Sequence, residues 1–192
     1  MNNLKILAPS IMAITLLAAF SRQEREPFVM LKTHKLVIQK DTLAALEAVQ
    51  HKVMESSSGK ALVFPDSNIH LVIQTGPEND MLSYRIQELR NPMLILRAGA
   101  TVHLLFVNVD DDMTHDFRVG SVKPPDTAGT VGTSRLNHSE DEKFSAEEFS
   151  FRVLDTGRYS YFCSVRNHAA NGMRGTLMVV KADMPVKNMI AQ

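Results

Sequence analysis

The chain has 192 residues, no formal net charge, 44% hydrophobic residues and 22% charged ones. That length holds one domain of ordinary size with an N-terminal segment to spare. The balance excludes a disordered chain, the absence of excess basic charge argues against a nucleic-acid partner, and a single cysteine excludes an internal disulfide.

In chain order, Lys5 is followed by a run that is apolar from Ile6 to Phe20 except at Pro9, Ser10 and Thr15, and charge returns at Arg22. This is the shape of an export signal over residues 1–21, or of an anchor that stays attached. The run is shorter than the ~20 residues that span a bilayer. Both readings predict a periplasmic or otherwise extracytoplasmic protein, the second with a membrane tether. Residues 22–40 read as a charged linker and an early strand, "FVMLKTHKLVIQ".

The globular domain is expected over 41–192, beginning with a helix. Leu43, Leu46, Val49, Val53 and Met54 follow helical spacing, Asp41 or Thr42 can cap the start, and Ser56–Gly59 ends it. Beyond Gly59 the pattern is that of strands. Asn68–Gln74 and Met81–Leu89 are β-rich, and "NPMLILRAGATVHLLFVNVDDD" holds two strands joined at Ala98–Gly99. Val102, Leu104 and Phe106 alternate with His103, Leu105 and Val107, which predicts cover on both faces. A polar turn follows at Asp110–Asp112, and the next strand starts within "MTHDFRV". Ser121–Glu148 reads as a long surface excursion. Two further strands flank Asp155–Thr156–Gly157, and "GTLMVVKAD" closes the domain. Many short strands with turns between them predict an all-β sandwich with an N-terminal helical extension.

The chemistry sits in "YSYFCSVRNHAANGMRG", Tyr159–Gly175. Cys163, His168 and Met173 share one connection between two strands. Alternation puts Tyr159, Tyr161 and Cys163 on one face. Soft sulfur ligands with imidazole suit copper. Two histidines, one cysteine and a weak axial methionine form a blue-copper electron-transfer site. The second histidine must come from elsewhere, and His115, at a turn-to-strand boundary, is the best placed of the seven. His34, His51 and His138 lie in polar or helical contexts, and His70 and His103 lie mid-strand. A cysteine hydrolase would leave the methionine without a role. A copper carrier or chaperone is the alternative, although a closed four-ligand pattern favours retention over exchange.

"GRYSYFCSVRNHAANGMRGTLMVV" resembles the copper loop of the cupredoxins, and "NPMLILRAGATVHLLFVNVDDDMTHDFRV" resembles the strand pair that leads to their first copper histidine. The resemblance implies a Greek-key sandwich and one type 1 copper ion held by His115, Cys163, His168 and Met173. It implies one-electron transfer rather than enzyme chemistry. It also implies a monomer that exchanges electrons, in a respiratory chain, with proteins such as a c-type cytochrome or terminal oxidase. Electrons are expected to pass the edge of His168, beside a small apolar surface at Ala169 and Ala170. Two positions depart from the pattern. Asp116 stands where a small hydroxyl residue follows the first copper histidine, and Asn167 stands where glycine is usual before the second.

Overall fold

Alternating apolar and polar side chains build two sheets that stack face to face. A computed structural model describes residues 26–48, 54–56, 60–121, 126–139 and 142–192. The strands in chain order are β1 (Phe28–Gln39), β2 (Met54–Glu55), β3 (Ala61–Val63), β4 (Asn68–Thr75), β5 (Tyr84–Ile86), β6 (Leu89–Arg90) and β7 (Met93–Arg97). They continue as β8 (Thr101–Asn108), β9 (Arg118–Gly120), β10 (Val131–Gly132), β11 (Lys143–Val153), β12 (Gly157–Phe162) and β13 (Arg174–Val180). Among the described residues two α-helices, α1 (Lys40–Ala48) and α2 (Val186–Ile190), flank them.

One sheet has the order β1-β11-β8-β4-β5-β6, the other β10-β9-β12-β13-β7-β3-β2. Consecutive strands such as β7 and β8, or β11 and β12, lie in different sheets, so the chain crosses repeatedly between layers. Gly99 makes the crossing from β7 to β8 at φ 87°, a left-handed conformation that suits a residue without Cβ. The inner faces meet in one core. Val102, Leu104 and Phe106 of β8 join Leu94 and Leu96 of β7, Leu177 and Val179 of β13, and Tyr161 of β12. Each such side chain removed from water contributes about 1.5–3 kcal/mol.

The helices cover the outer faces. Leu43 of α1 packs with Ile38, Val107 and Ala146 over the first sheet. Met189 of α2 packs with Ala61, Val63, Ile95 and Val180 over the second. This is why Val107 is buried although it points away from the central core.

Several expected elements take a different form. Met54, expected in the helix, pairs with Val63 as part of β2. Val49, Val53 and His51 lie outside the described residues, as do the apolar N-terminal run and the start of the linker. Met81–Leu89 is not one strand: Gln87 and Glu88 both take positive φ and fold β5 back onto β6. No glycine marks this turn. The excursion from Ser121 ends before Glu148, because Lys143–Glu148 pairs with β1 along the whole of β11's first half. The short helix α2 carries too few residues to show a helical period. Among the described residues, no helix is long and apolar enough to cross a membrane.

Beneath one end of the sandwich the aromatic rings of Tyr84, Phe106, Phe117 and Tyr161 form a cluster, with centroids 5.3 to 6.4 Å apart for the contacting pairs. The hydroxyl of Tyr84 donates to the carbonyl of Asp116 at 2.6 Å, and that of Tyr161 donates to the carbonyl of Pro92. At Gly175 a Cβ would lie 2.1 Å from the ring of Tyr161. Glycine therefore lets β13 lie against this cluster. The cluster is the floor on which the candidate site stands.

Candidate metal centre

His115 lies after β8 and is fixed by a two-way backbone bridge. Its N–H donates to the Leu136 carbonyl at 3.0 Å, and the Leu136 N–H donates back at 2.8 Å. The buried amide of Asn108 secures the same loop by donating to the carbonyls of Met113 at 2.9 Å and Asn137 at 2.8 Å. Cys163 leaves the end of β12, and its N–H donates to the Met173 carbonyl at 3.1 Å. The Met173 N–H donates to the His168 carbonyl at 3.0 Å, and the His168 N–H to the Val165 carbonyl at 3.1 Å. These bonds coil the loop so that three spaced side chains face one point. Asn167 sits at φ 67°. The position before His168 therefore requires the left-handed conformation that glycine would adopt, and asparagine is the side chain that tolerates it best.

The four expected residues come together. Nδ1 of His115 lies 3.2 Å from Nδ1 of His168, 3.0 Å from Sδ of Met173 and 4.0 Å from Sγ of Cys163. Cys163 Sγ lies 3.5 Å from His168 Nδ1. The ligand atoms of His115, Cys163 and His168 are all within 4.8 Å of one another. His115, Cys163 and Met173 are fully buried, and His168 is 9% exposed.

The other imidazole nitrogen of His115 settles its proton. Nε2 is 3.0 Å from the buried carboxylate of Asp110. Nε2 therefore donates its hydrogen, and Nδ1 carries a lone pair. That lone pair faces the donor atoms of three other side chains. Two imidazoles, a thiolate and a thioether are the donor set that suits copper.

Burial dominates the electrostatics. It pushes the imidazoles of His115 and His168 below the ordinary histidine range, and the nearby His115 adds to the shift at His168. Neutral imidazole is the ligating form. Burial, with the Asp116 carboxylate beside it, pushes the Cys163 thiol up to about 12. The free protein therefore holds a protonated thiol at neutral pH, and metal binding must displace that proton.

Two buried carboxylates flank the donors. Asp116 accepts the Ser164 N–H at 2.6 Å and the Ser164 hydroxyl, and the Nε of Arg118 lies 3.5 Å from it. Asp110 accepts the N–H groups of Asp112 at 2.8 Å and Met113 at 2.9 Å as well as His115. Burial raises the pKa of Asp110, but these three donors outweigh it and hold the carboxyl below the usual range. From the sequence, Asp110 belongs to a polar turn. The aspartate two residues before a backbone N–H was the available signal, since this residue closes such turns with its side chain. Asn91 is a second supporting residue that spacing does not reveal. Its Nδ2 donates to the Gly172 carbonyl at 3.0 Å, next to Met173, while its Oδ1 accepts the Tyr84 N–H at 2.9 Å.

The other described histidines stand apart. His103 is hydrogen-bonded to Ser150 and Asn68 and stacks on His70 at 4.8 Å, on the outer face of the first sheet. His34 and His138 are exposed. The small apolar surface beside His168 is narrower than expected: Ala169 is 4% exposed and packs inward, which leaves Ala170 outside.

Residues 73–180 match the profile described as copper binding proteins, plastocyanin/azurin family. The chain is 29% identical over 145 residues to a rusticyanin of Acidithiobacillus ferrooxidans, across 72% of this chain and 93% of that one. It is equally similar to a rusticyanin of Acidithiobacillus ferridurans, across 72% of this chain and 77% of the other. Among solved structures it is similar to reduced rusticyanin, with a TM-score of 0.68 and 25% identity, over 77% of this chain and 100% of that one. The match to rusticyanin from Thiobacillus ferrooxidans has the same TM-score and identity, over 78% and 99%.

Proposed function

Because the chain belongs to the copper-binding plastocyanin/azurin family, the cupredoxins, we propose that His115, Cys163, His168 and Met173 hold its copper ion and that the protein carries single electrons between partners outside the cytoplasm. The observation that carries this reading is the convergence of the four donor atoms around His115 Nδ1. Bound there, copper supplies a one-electron couple. The protein's part is to hold the donors still. Backbone bonds fix His115 from one side and the Cys163 loop from the other, so little rearrangement accompanies a change of charge.

His168 is the donor nearest solvent, and electrons pass by its edge. Arg166, Asn167 and Ala170 are exposed around it, a small mixed surface suited to brief docking. A c-type cytochrome or terminal oxidase of a respiratory chain is the kind of partner this serves. Residues 1–21 act as the export signal or tether, ahead of the domain. Burial of the donors favours retention of the metal and so disfavours the carrier or chaperone reading.

The test is the visible spectrum of the purified, oxidised, copper-loaded protein. An intense thiolate-to-copper band is expected, and Cys163→Ala should abolish it. A chain that binds copper and stays colourless would overturn the proposal.

A further inference from the structure

We propose that Asp110 is a positioning residue of the copper site, holding His115 with its proton on Nε2, and that with Asp116 it biases the site toward Cu(II). This rests on the copper reading above. The two carboxylates lie on opposite sides of the donors. Asp110 takes the Nε2–H of His115 at 3.0 Å, and Asp116 takes the N–H of Ser164, next to Cys163, at 2.6 Å. Both side chains are fully buried. Every described hydrogen-bond contact to their oxygens comes from a donor: three N–H groups at Asp110, and Ser164 with Arg118 at Asp116. All of these oxygens are placed as acceptors.

The consequence follows from charge. The oxidised site combines Cu(II) with one thiolate and carries one net positive charge. Two carboxylates bring this below zero, and the guanidinium of Arg118, itself partly exposed, offsets one of them. The electron donated by a redox partner converts Cu(II) to Cu(I), with no bond broken and no proton taken up. It enters a site whose positive charge is already matched. Charges of one sign repel more strongly away from water than in it, so the reduced state is disfavoured. The hydrogen bond from His115 adds to this, because a carboxylate partner makes an imidazole a stronger donor to the more highly charged metal. The four donors alone do not require such a bias. It comes from residues five positions before and one position after His115. The carrier so built gives up its electron more readily than one with the same donors and neutral neighbours.

Midpoint potentials of the copper-loaded wild type, Asp110→Asn, Asp116→Asn and the double variant, at one fixed pH, test the charge. Asparagine removes the charge and keeps one acceptor oxygen, where Asp110 uses one oxygen for Asp112 and Met113 and the other for His115. Each single variant should retain copper and shift upward, its equilibrium with a reference couple moving by about tenfold or more. The double variant should move further. An unchanged or lowered midpoint in Asp110→Asn overturns the proposal, and so does loss of copper, which would make the charge a requirement for binding rather than a bias. Nitrogen-15 NMR of the metal-free wild type tests the positioning without copper. His115 should carry its proton on Nε2, and a proton on Nδ1 overturns that part. A wild type without the blue band would defeat the copper reading, while the NMR result would still judge Asp110.

Discussion

Asp116 ties the two halves of the copper site together through Ser164: the residue after His115 accepts the N–H of the residue after Cys163 at 2.6 Å, and its hydroxyl as well. The sequence positions are 48 apart. The Asp116 side chain is wholly buried, so the position that departs from the family pattern is an internal strut and not a surface residue.

Asp116→Ala removes the acceptor and leaves the Ser164 N–H buried without a partner. The metal-free protein should lose about 1–3 kcal/mol of stability, measured by chemical denaturation. Asp116→Asn, which retains an acceptor, should lose less. Asp116→Ser should raise the midpoint potential of the loaded protein, since it removes a negative charge beside the Cys163 sulfur. Equal stability of the alanine variant and the wild type would show that the strut is dispensable.

His115→Ala should open a coordination position and weaken copper retention. It also strips Asp110 of one of its three donors. Competition with a chelator reads the first effect directly. A variant that keeps its copper and an unchanged spectrum would mean that His115 is not a ligand.

Met173, whose sulfur lies 3.0 Å from His115 Nδ1, is proposed as the axial donor, and axial donors are weak and long. Its replacement should tune the site more than destroy it. Met173→Leu should hold copper and raise the potential, because a donor is lost. Met173→Gln should lower it. Voltammetry in which neither substitution moves the midpoint would remove Met173 from the site.

The stability of the metal-free protein should peak between about pH 6.5 and 9. On the acid side, His115 and His168 have folded pKa values below the ordinary 6.5. The unfolded chain then binds more protons, and stability falls as pH drops below that value. On the alkaline side, the Cys163 thiol is raised from 9.0 to about 12. Its contribution is complete below 9 and is lost as pH rises toward 12, by about 4 kcal/mol if the full shift is expressed. Denaturation midpoints across this range, with Cys163→Ala as the control that lacks the alkaline arm, check both signs.

Short-range pattern determined most of the strands and the loop that bears the site. The alternation in β8 and β12 declares which side chains face inward, and a strand with a period of two needs no tertiary information for that. The spacing of Cys163, His168 and Met173 could be read because the three share one loop, whose own backbone bonds coil it. Asn167 answers the need for a left-handed residue within the same few positions. What the sequence could not determine depends on contacts between distant segments. The fold-back at Gln87–Glu88 has no glycine to mark it, and the strand at Met54 exists because Val63 lies opposite. Asp110 reads as one of three acidic turn residues until the bridge to Leu136 turns His115 onto it. Asp116 reads as a neighbour of His115 until the packing of β9 against β12 brings Ser164 within reach. Only the tertiary structure distinguishes these carboxylates from solvated ones, because burial and the choice of donor are properties of what lies beside a side chain, not of what precedes it in the chain.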